Sequence, residues 1–420
     1  MSAWGNDPSR PVDLTDLDRW VDGIPRERFA WLRANEPVSW HEDIAPNHGF
    51  WSVTRHADIV ALSKDWRTWT STEGVSFEEC EADEMEARRT LIDTDPPRHS
   101  RLRQLVGPGF TAKSIAGYEP FVRELAVDAL QRALPLGEFD AIEHIAKDVP
   151  IRVLARIMGL PDDRLDVLVD LGDRLIANTD PEITDVVWGR DDTDEYRMFP
   201  FRSPYGKQLW ELGHALAQER RACPAHDLVN TLIEAEIDGE RLSSVEFDNF
   251  FSLLVIAGNE TTRIAIAQGL LALMEHPAQW DRLKADPSLV ASATEEILRW
   301  SCPTHFMRRT AVVDVELGGH TIRAGDKVIL WYVSGNFDEA VFADPQRFDV
   351  GRSPNDHLTF GKGGPHFCLG AHLARQEVRV VLEELVARVD RLELCGPPAR
   401  IRSNFTNGLK RLAVRAILPD

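Results

Sequence analysis

The stretch from Ser243 to His276, SSVEFDNFFSLLVIAGNETTRIAIAQGLLALMEH, constrains the fold more than any other part of the chain. Ser243 and Glu246 stand at the spacing of a capping box, and the helical pattern then runs unbroken until Pro277 ends it. At ~1.5 Å per residue such a helix extends roughly 45–50 Å, about a domain diameter. It must cross the core, with the rest of the fold arranged around it. A second helix is expected from about Pro287 through ATEEILRW, ending before Pro303. The texture then changes. AVVDVELGGHTIRAGDKVILWYV alternates apolar and polar residues, with Gly318-Gly319 and Ala324-Gly325 as turn signals, and reads as short antiparallel strands. GFWSVTR, in the first quarter, is strand-like too. The expectation is a mostly α fold with a smaller β region. The acidic segment FEECEADEMEARR reads as a solvated helix face or a mobile loop.

Composition excludes several classes. A net charge of −20 argues against a general nucleic-acid binder, which needs clustered Lys and Arg. The opening residues, MSAWGNDPSRPVDL, lack a charged region followed by an apolar core, so no signal peptide is expected. The most apolar run, FFSLLVIAG, is far short of a membrane span. Five scattered cysteines (Cys80, Cys223, Cys302, Cys368 and Cys395) do not form a disulfide framework. A soluble cytoplasmic protein with reduced thiols is the expectation.

Residues 360–370, FGKGGPHFCLG, place Cys368 at a glycine-rich turn directly before a helical stretch, LGAHLARQEVRVVLEELVARV. Cys368 could be a packed core thiol, a metal ligand or a nucleophile. A helix N-terminus favours the thiolate, and with it an iron ligand. Gly370 would let the backbone approach a flat cofactor, and Phe360 could shield the sulfur from water. Zinc is a weaker reading. His366, Cys368 and His372 lie close together, but no second cysteine makes the paired spacing zinc prefers. A thiol hydrolase would need a base and an oxyanion hole, and nothing local supplies them.

At this point the sequence resembles the cytochrome P450 family over nearly its whole length. FGKGGPHFCLG resembles the family's cysteine loop, lengthened by Pro365. Glu296-Ile-Leu-Arg299 matches its E-x-x-R, and PQRF, with Arg347, the loop that completes a Glu–Arg–Arg cluster. AGNETT, from Ala257, matches the oxygen-binding groove of the long helix, and DPPRHSRLR a stretch that reaches a haem propionate. Each motif alone is weak; their order and spacing together are specific.

The resemblance implies a single cytochrome P450 domain over 1–420. Its β-containing parts would fall at about 36–60 and 311–333, and its helical core at about 95–300 and 369–390. It implies one haem b with Cys368 as axial thiolate, and His99, Arg103, Arg309 and His366 on the propionates. Arg308 is the neighbouring alternative to Arg309. Ala257 and Gly258 would form the groove for O2, the co-substrate, with Glu260 and Thr261 as the catalytic pair. Electrons would come from a separate ferredoxin, less readily a flavodoxin, served by a ferredoxin reductase. Arg98, Arg101, Lys113, Lys362 and Arg375 would give an acidic ferredoxin a local positive face. The expected reaction is hydroxylation of a C–H bond in a hydrophobic small molecule by a monomeric enzyme. The lengthened loop and SNFTNGL resemble a bacterial branch acting on sterols, branched lipids and terpenes. Pocket walls are expected after Thr72, over 185–205, from Phe250 to Ala257, from Thr304 to Met307 and around Phe405. Trp188, Phe199, Phe201, Phe306 and Phe405 are the candidate aromatics. A peroxide-driven peroxygenase of the same fold and a non-catalytic haem sensor are the alternatives.

Overall fold

The computed structural model describes residues 13–42, 47–224, 227–237 and 239–419. Most of the N-terminal stretch read for a signal peptide lies outside them. The chain divides into two compact units. The first comprises Met1–Cys80, Ile264–Cys368 and Val386–Asp420; the second comprises Glu81–Arg263 and Leu369–Leu385.

The first unit holds a five-stranded sheet of β1 (Val38–His41), β2 (Phe50–Val53), β3 (Trp69–Thr70), β4 (Met307–Ala311) and β5 (Lys327–Leu330). Their order is β1-β2-β5-β4-β3, with β5 parallel to β2 and the other pairings antiparallel. β5 is central and buried at every position, and Trp331 follows it into the core. The Trp331 ring meets Phe306 at 5.1 Å, Phe29 at 5.3 Å and Trp20 at 5.9 Å between centroids. Phe306, expected as a pocket wall, is thus core, 1% exposed. Gly318 and Gly319, at φ of 60° and 83°, turn the Val315–Leu317/His320–Ile322 hairpin as the sequence signals. The β region begins earlier than expected, at Met307, and its tail Tyr332–Gly335 coils into a helical turn instead of continuing as strand. A C-terminal pair, Arg391–Leu394 against Ala413–Ile417, adds strands the sequence reading did not place.

The second unit is mainly helical, with helices Ala82–Arg88, Arg98–Val106, Glu119–Ala133, Asp148–Met158, Leu165–Ile176 and Pro204–Ala222 among its parts. The acidic segment is not simply solvated. Glu84 is 3% exposed, with Arg202 at 3.4 Å, Arg88 at 3.5 Å and Arg197 at 3.7 Å. Three guanidiniums compensate one buried carboxylate, and two of them, Arg197 and Arg202, lie outside the segment and cannot be read from its spacing.

The long helix runs Ser244–Glu275, and the capping box is made. The Ser243 N–H donates to Glu246 at 2.9 Å, and the Glu246 N–H to the Ser243 hydroxyl at 3.2 Å. By length and composition it could cross a membrane, but 78% of its apolar window is buried within the protein, as in the core helix of a globular fold.

Candidate active site

In the first unit the loop around Cys368 is shaped by its glycines. Gly361 and Gly363 take φ of 69° and 75°, which only glycine adopts freely. A β-carbon on Gly364 would lie 1.8 Å from the Ser63 carbonyl oxygen, so the loop lies backbone to backbone on the end of helix His56–Lys64. The Cys368 N–H donates to the Phe360 carbonyl at 2.8 Å and closes the loop. Cys368 is partly buried, Phe360 is buried and Phe367 is exposed. Among the described residues, His366, Cys368 and His372 do not gather into a metal-ligating group, and His372 is exposed. The zinc reading has no support.

His366 Nε2 lies 3.2 Å from the Ser71 hydroxyl. Successive side chains of a strand point to opposite faces, and this separates the two β4 arginines. Arg308 donates to the Glu78 carbonyl at 2.9 Å, while its backbone N–H donates to the Val75 carbonyl at 2.8 Å. It straps residues 75–78 to the sheet. Arg309, buried, faces the other way and lies near Tyr332, whose phenol burial pushes up and Arg309 pulls down. That assignment favours Arg309 over Arg308 as an anion partner. Ser71 and Tyr332 were missed in the sequence. WYV reads as strand, so nothing singles out the tyrosine.

The expected Glu–Arg–Arg cluster is present with one member changed. Arg299 holds Glu296 through two 2.8 Å bonds, both side chains 0% exposed. The third guanidinium is Arg352, at 3.1 Å, whereas Arg347 is exposed and contributes only its carbonyl. The loop carries both arginines, and its motif pointed to the wrong one.

In the second unit, His99 and Arg103 stand one turn apart on helix Arg98–Val106, His99 buried and Arg103 partly so. The long helix is buried almost throughout, but Leu253, Gly258 and Thr261 are partly open and Ala257 is exposed. An uncovered stripe thus runs along the middle of an otherwise apolar core helix. Gly258 serves packing: a β-carbon there would sit 3.1 Å from Leu154 Cδ1. The Thr261 hydroxyl donates to the Ala257 carbonyl at 2.8 Å, the bond back along the helix that a plain core threonine also makes.

Glu260 is 2% exposed and ion-paired with Arg263, which in turn holds Asp173 at 2.5 Å. Lys147 stands 3.4 Å from Asp173. Burial pushes the Glu260 carboxyl up; Arg263 opposes this, and the Asp173 charge adds to it. Arg263, between two carboxylates, is held charged. Glu260 Oε1 is buried with no hydrogen-bond partner in the protein. Of the five cations expected to face a ferredoxin, Arg98 is ion-paired with Glu246 and Lys362 with Asp356.

These residues fit a haem by chemistry: a thiol for iron, and two arginines and two histidines for carboxylates. A β-carbon built on Gly370 would meet nothing within 4 Å, leaving the backbone there open to close approach.

The cytochrome P450 family model matches residues 48–395. The chain is 38% identical to a methyl-branched lipid omega-hydroxylase of Mycobacterium tuberculosis, over 97% of this chain and 95% of the relative. It is 36% identical to a linalool 8-monooxygenase of Pseudomonas putida, over 96% of this chain and 98% of the relative. A cytochrome P450 of Mycobacterium marinum, solved in complex with pseudoionone, superimposes with a TM-score of 0.88 at 38% identity, covering 97% of this chain and 99% of that one. With the family model spanning most of the chain and named monooxygenases aligned nearly end to end, the chain belongs to the cytochrome P450 family and is a haem-iron monooxygenase.

Proposed function

We propose that the protein binds haem b through Cys368 and hydroxylates a C–H bond of a neutral hydrophobic small molecule of the terpenoid, steroid or branched-lipid class. The whole chain, 1–420, acts as one monomeric domain, and electrons come from a separate ferredoxin and its reductase. The observation that carries the reading is the opening of the core helix at Ala257 beside a buried, partly unpartnered Glu260. Relatives named for a branched lipid, steroids and linalool support the substrate class. When bound, the haem supplies O2 activation and oxygen transfer.

The protein's own residues then have distinct tasks. His99, Arg103, Arg309 and His366 hold the propionates. Phe360 covers the sulfur, and Gly370 admits the macrocycle. Ala257 leaves room beside the helix backbone, while Gly258 gives Leu154 its place against it. Glu260, whose carboxyl burial pushes up against the pull of Arg263, takes up and gives away a proton at the open Oε1 and relays it toward Thr261 through water. Arg263, anchored by Asp173, fixes the direction in which that carboxyl points.

Two measurements test the reading. NADH with ferredoxin and reductase should turn over an apolar ligand that shifts the haem spin state; turnover with hydrogen peroxide alone would favour the peroxygenase instead. Cys368→His should move the reduced carbon monoxide Soret band from the thiolate to the imidazole position, and an unmoved band would exclude Cys368 as ligand.

A further inference from the structure

The second unit contains a cavity of about 480 Å³ that none of the tasks above uses. Its floor is apolar and buried: Leu91, Leu102 and Phe250 are 5%, 6% and 3% exposed. One wall is pinned in place by Asn249 of the long helix. Its amide donates to the carbonyls of Ala87 at 2.9 Å and Arg89 at 3.1 Å, and its oxygen accepts from Trp210 Nε1 at 3.1 Å. The rim is open. Val245 is 39% exposed, and Arg98 bridges to Glu246 across the edge. Glu246 is doubly employed: Oε2 accepts from the Ser243 N–H to cap the helix, and Oε1 pairs with Arg98.

The lining also sets the ligand's charge. Asp83, Glu86 and Glu246 face Arg89 and Arg98, so three carboxylates stand against two guanidiniums and an anion gains nothing there. The volume falls within the range of small-molecule sites, roughly 300–1,000 Å³. Helical geometry gives the cavity a direction. At 100° per residue, Glu246, Phe250, Leu253, Ala257 and Thr261 fall within an arc of ~80°, one continuous face of the long helix. From Phe250, in the cavity floor, to Ala257 is ~10 Å along the axis. Leu253 and Ala257 are also the positions where that helix is open.

We propose that this cavity is the outer station of a route by which the neutral apolar substrate or product travels along that face to Ala257 and Thr261, with the Arg98–Glu246 pair as its gate. The inference rests on the proposed site at Ala257–Thr261. A half-exposed ion pair is worth little, so the gate is light and sets rates, not affinity.

The test is stopped-flow mixing of the ferric holoenzyme with an apolar ligand that shifts its spin state, such as a terpene alcohol. Glu246→Gln, which keeps the cap, and Arg98→Gln should each speed both association and release about 2–5-fold at unchanged Kd, and the double variant should gain nothing further. Val245→Trp, at the exposed rim, should slow both about 10-fold or more. Wild-type rates in Val245→Trp, with normal haem content and carbon monoxide spectrum, would overturn the route while leaving the site standing. A wild-type enzyme that no apolar ligand shifts would overturn both.

Discussion

Two buried glutamates in this chain each stand three residues before an arginine, in Glu260-Thr-Thr-Arg263 and Glu296-Ile-Leu-Arg299. Both pairs are helical, both are buried and both are ion-paired within their helix. Their surroundings differ. Glu296 accepts from Arg299, Arg352, Asn355 and the Asp349 N–H, while Arg299 donates also to the carbonyls of Asn336 and Pro345. That cluster has partners on every side. Glu260 shares one arginine with Asp173 and leaves Oε1 empty. An identical local motif is thus a closed structural knot in one unit and an open, chargeable group in the other. Low dielectric makes the first rigid and the second ready to change protonation.

The largest effect should come from breaking the closed pair. Glu296→Ala strands Arg299 and Arg352, one fully buried and one nearly so, and should cost about 3–5 kcal/mol, seen as a lower denaturant midpoint and poor haem retention. A stability loss below about 1 kcal/mol would erase the contrast between the pairs.

Glu260→Gln should do the reverse: stability nearly kept, haem and spin shift normal, turnover down about 100-fold at neutral pH. The pH dependence follows from the direction of its shift. The carboxyl lies above its ordinary value, so the proton is available below that pKa and is lost as pH rises through it. Wild-type turnover should therefore fall on the alkaline side, and the glutamine variant should lose that limb. Stability has the same sign: the folded state favours the neutral acid, a contribution that fades with rising pH and is absent from the variant.

Thr261→Ala should act more finely. The chain loses one back-bonded hydroxyl, so stability should change by about 0.5 kcal/mol or less. Product formed per NADH should fall several-fold while released hydrogen peroxide rises. An unchanged ratio would remove Thr261 from the catalytic pair.

The smallest effect is expected at Asp173→Asn. Removing this charge relieves the repulsion that helps raise Glu260, so the alkaline limb should move to lower pH with a rate loss of only about 3-fold at neutral pH. A limb that stays in place would show that Asp173 only anchors Arg263.

Much of this was legible in advance because it is written locally. A capping box, an apolar helix without a breaker and a glycine-rich turn before a cysteine need only neighbours in sequence. What was missed depends on residues far apart. Arg347 and Arg352 share a loop, and only the folded path decides which guanidinium turns toward Glu296. Glu84 reads as solvated because Arg197 and Arg202, its distant partners, are more than a hundred positions away. Arg263 could have been found, since it repeats the spacing already recognised at Arg299. Gly258 was read as part of a groove, while its contact with Leu154 belongs to helix packing.

The contact between Gly364 and Ser63 has a consequence for anyone who would retune the enzyme. The loop bearing the sulfur rests on a hard stop, one backbone laid on another with no side chain between. Such a seat has no slack to absorb a side chain at Gly364. Adjustment must come from beneath, by shifting the last turn of the helix His56–Lys64, which acts as a shim under Gly364.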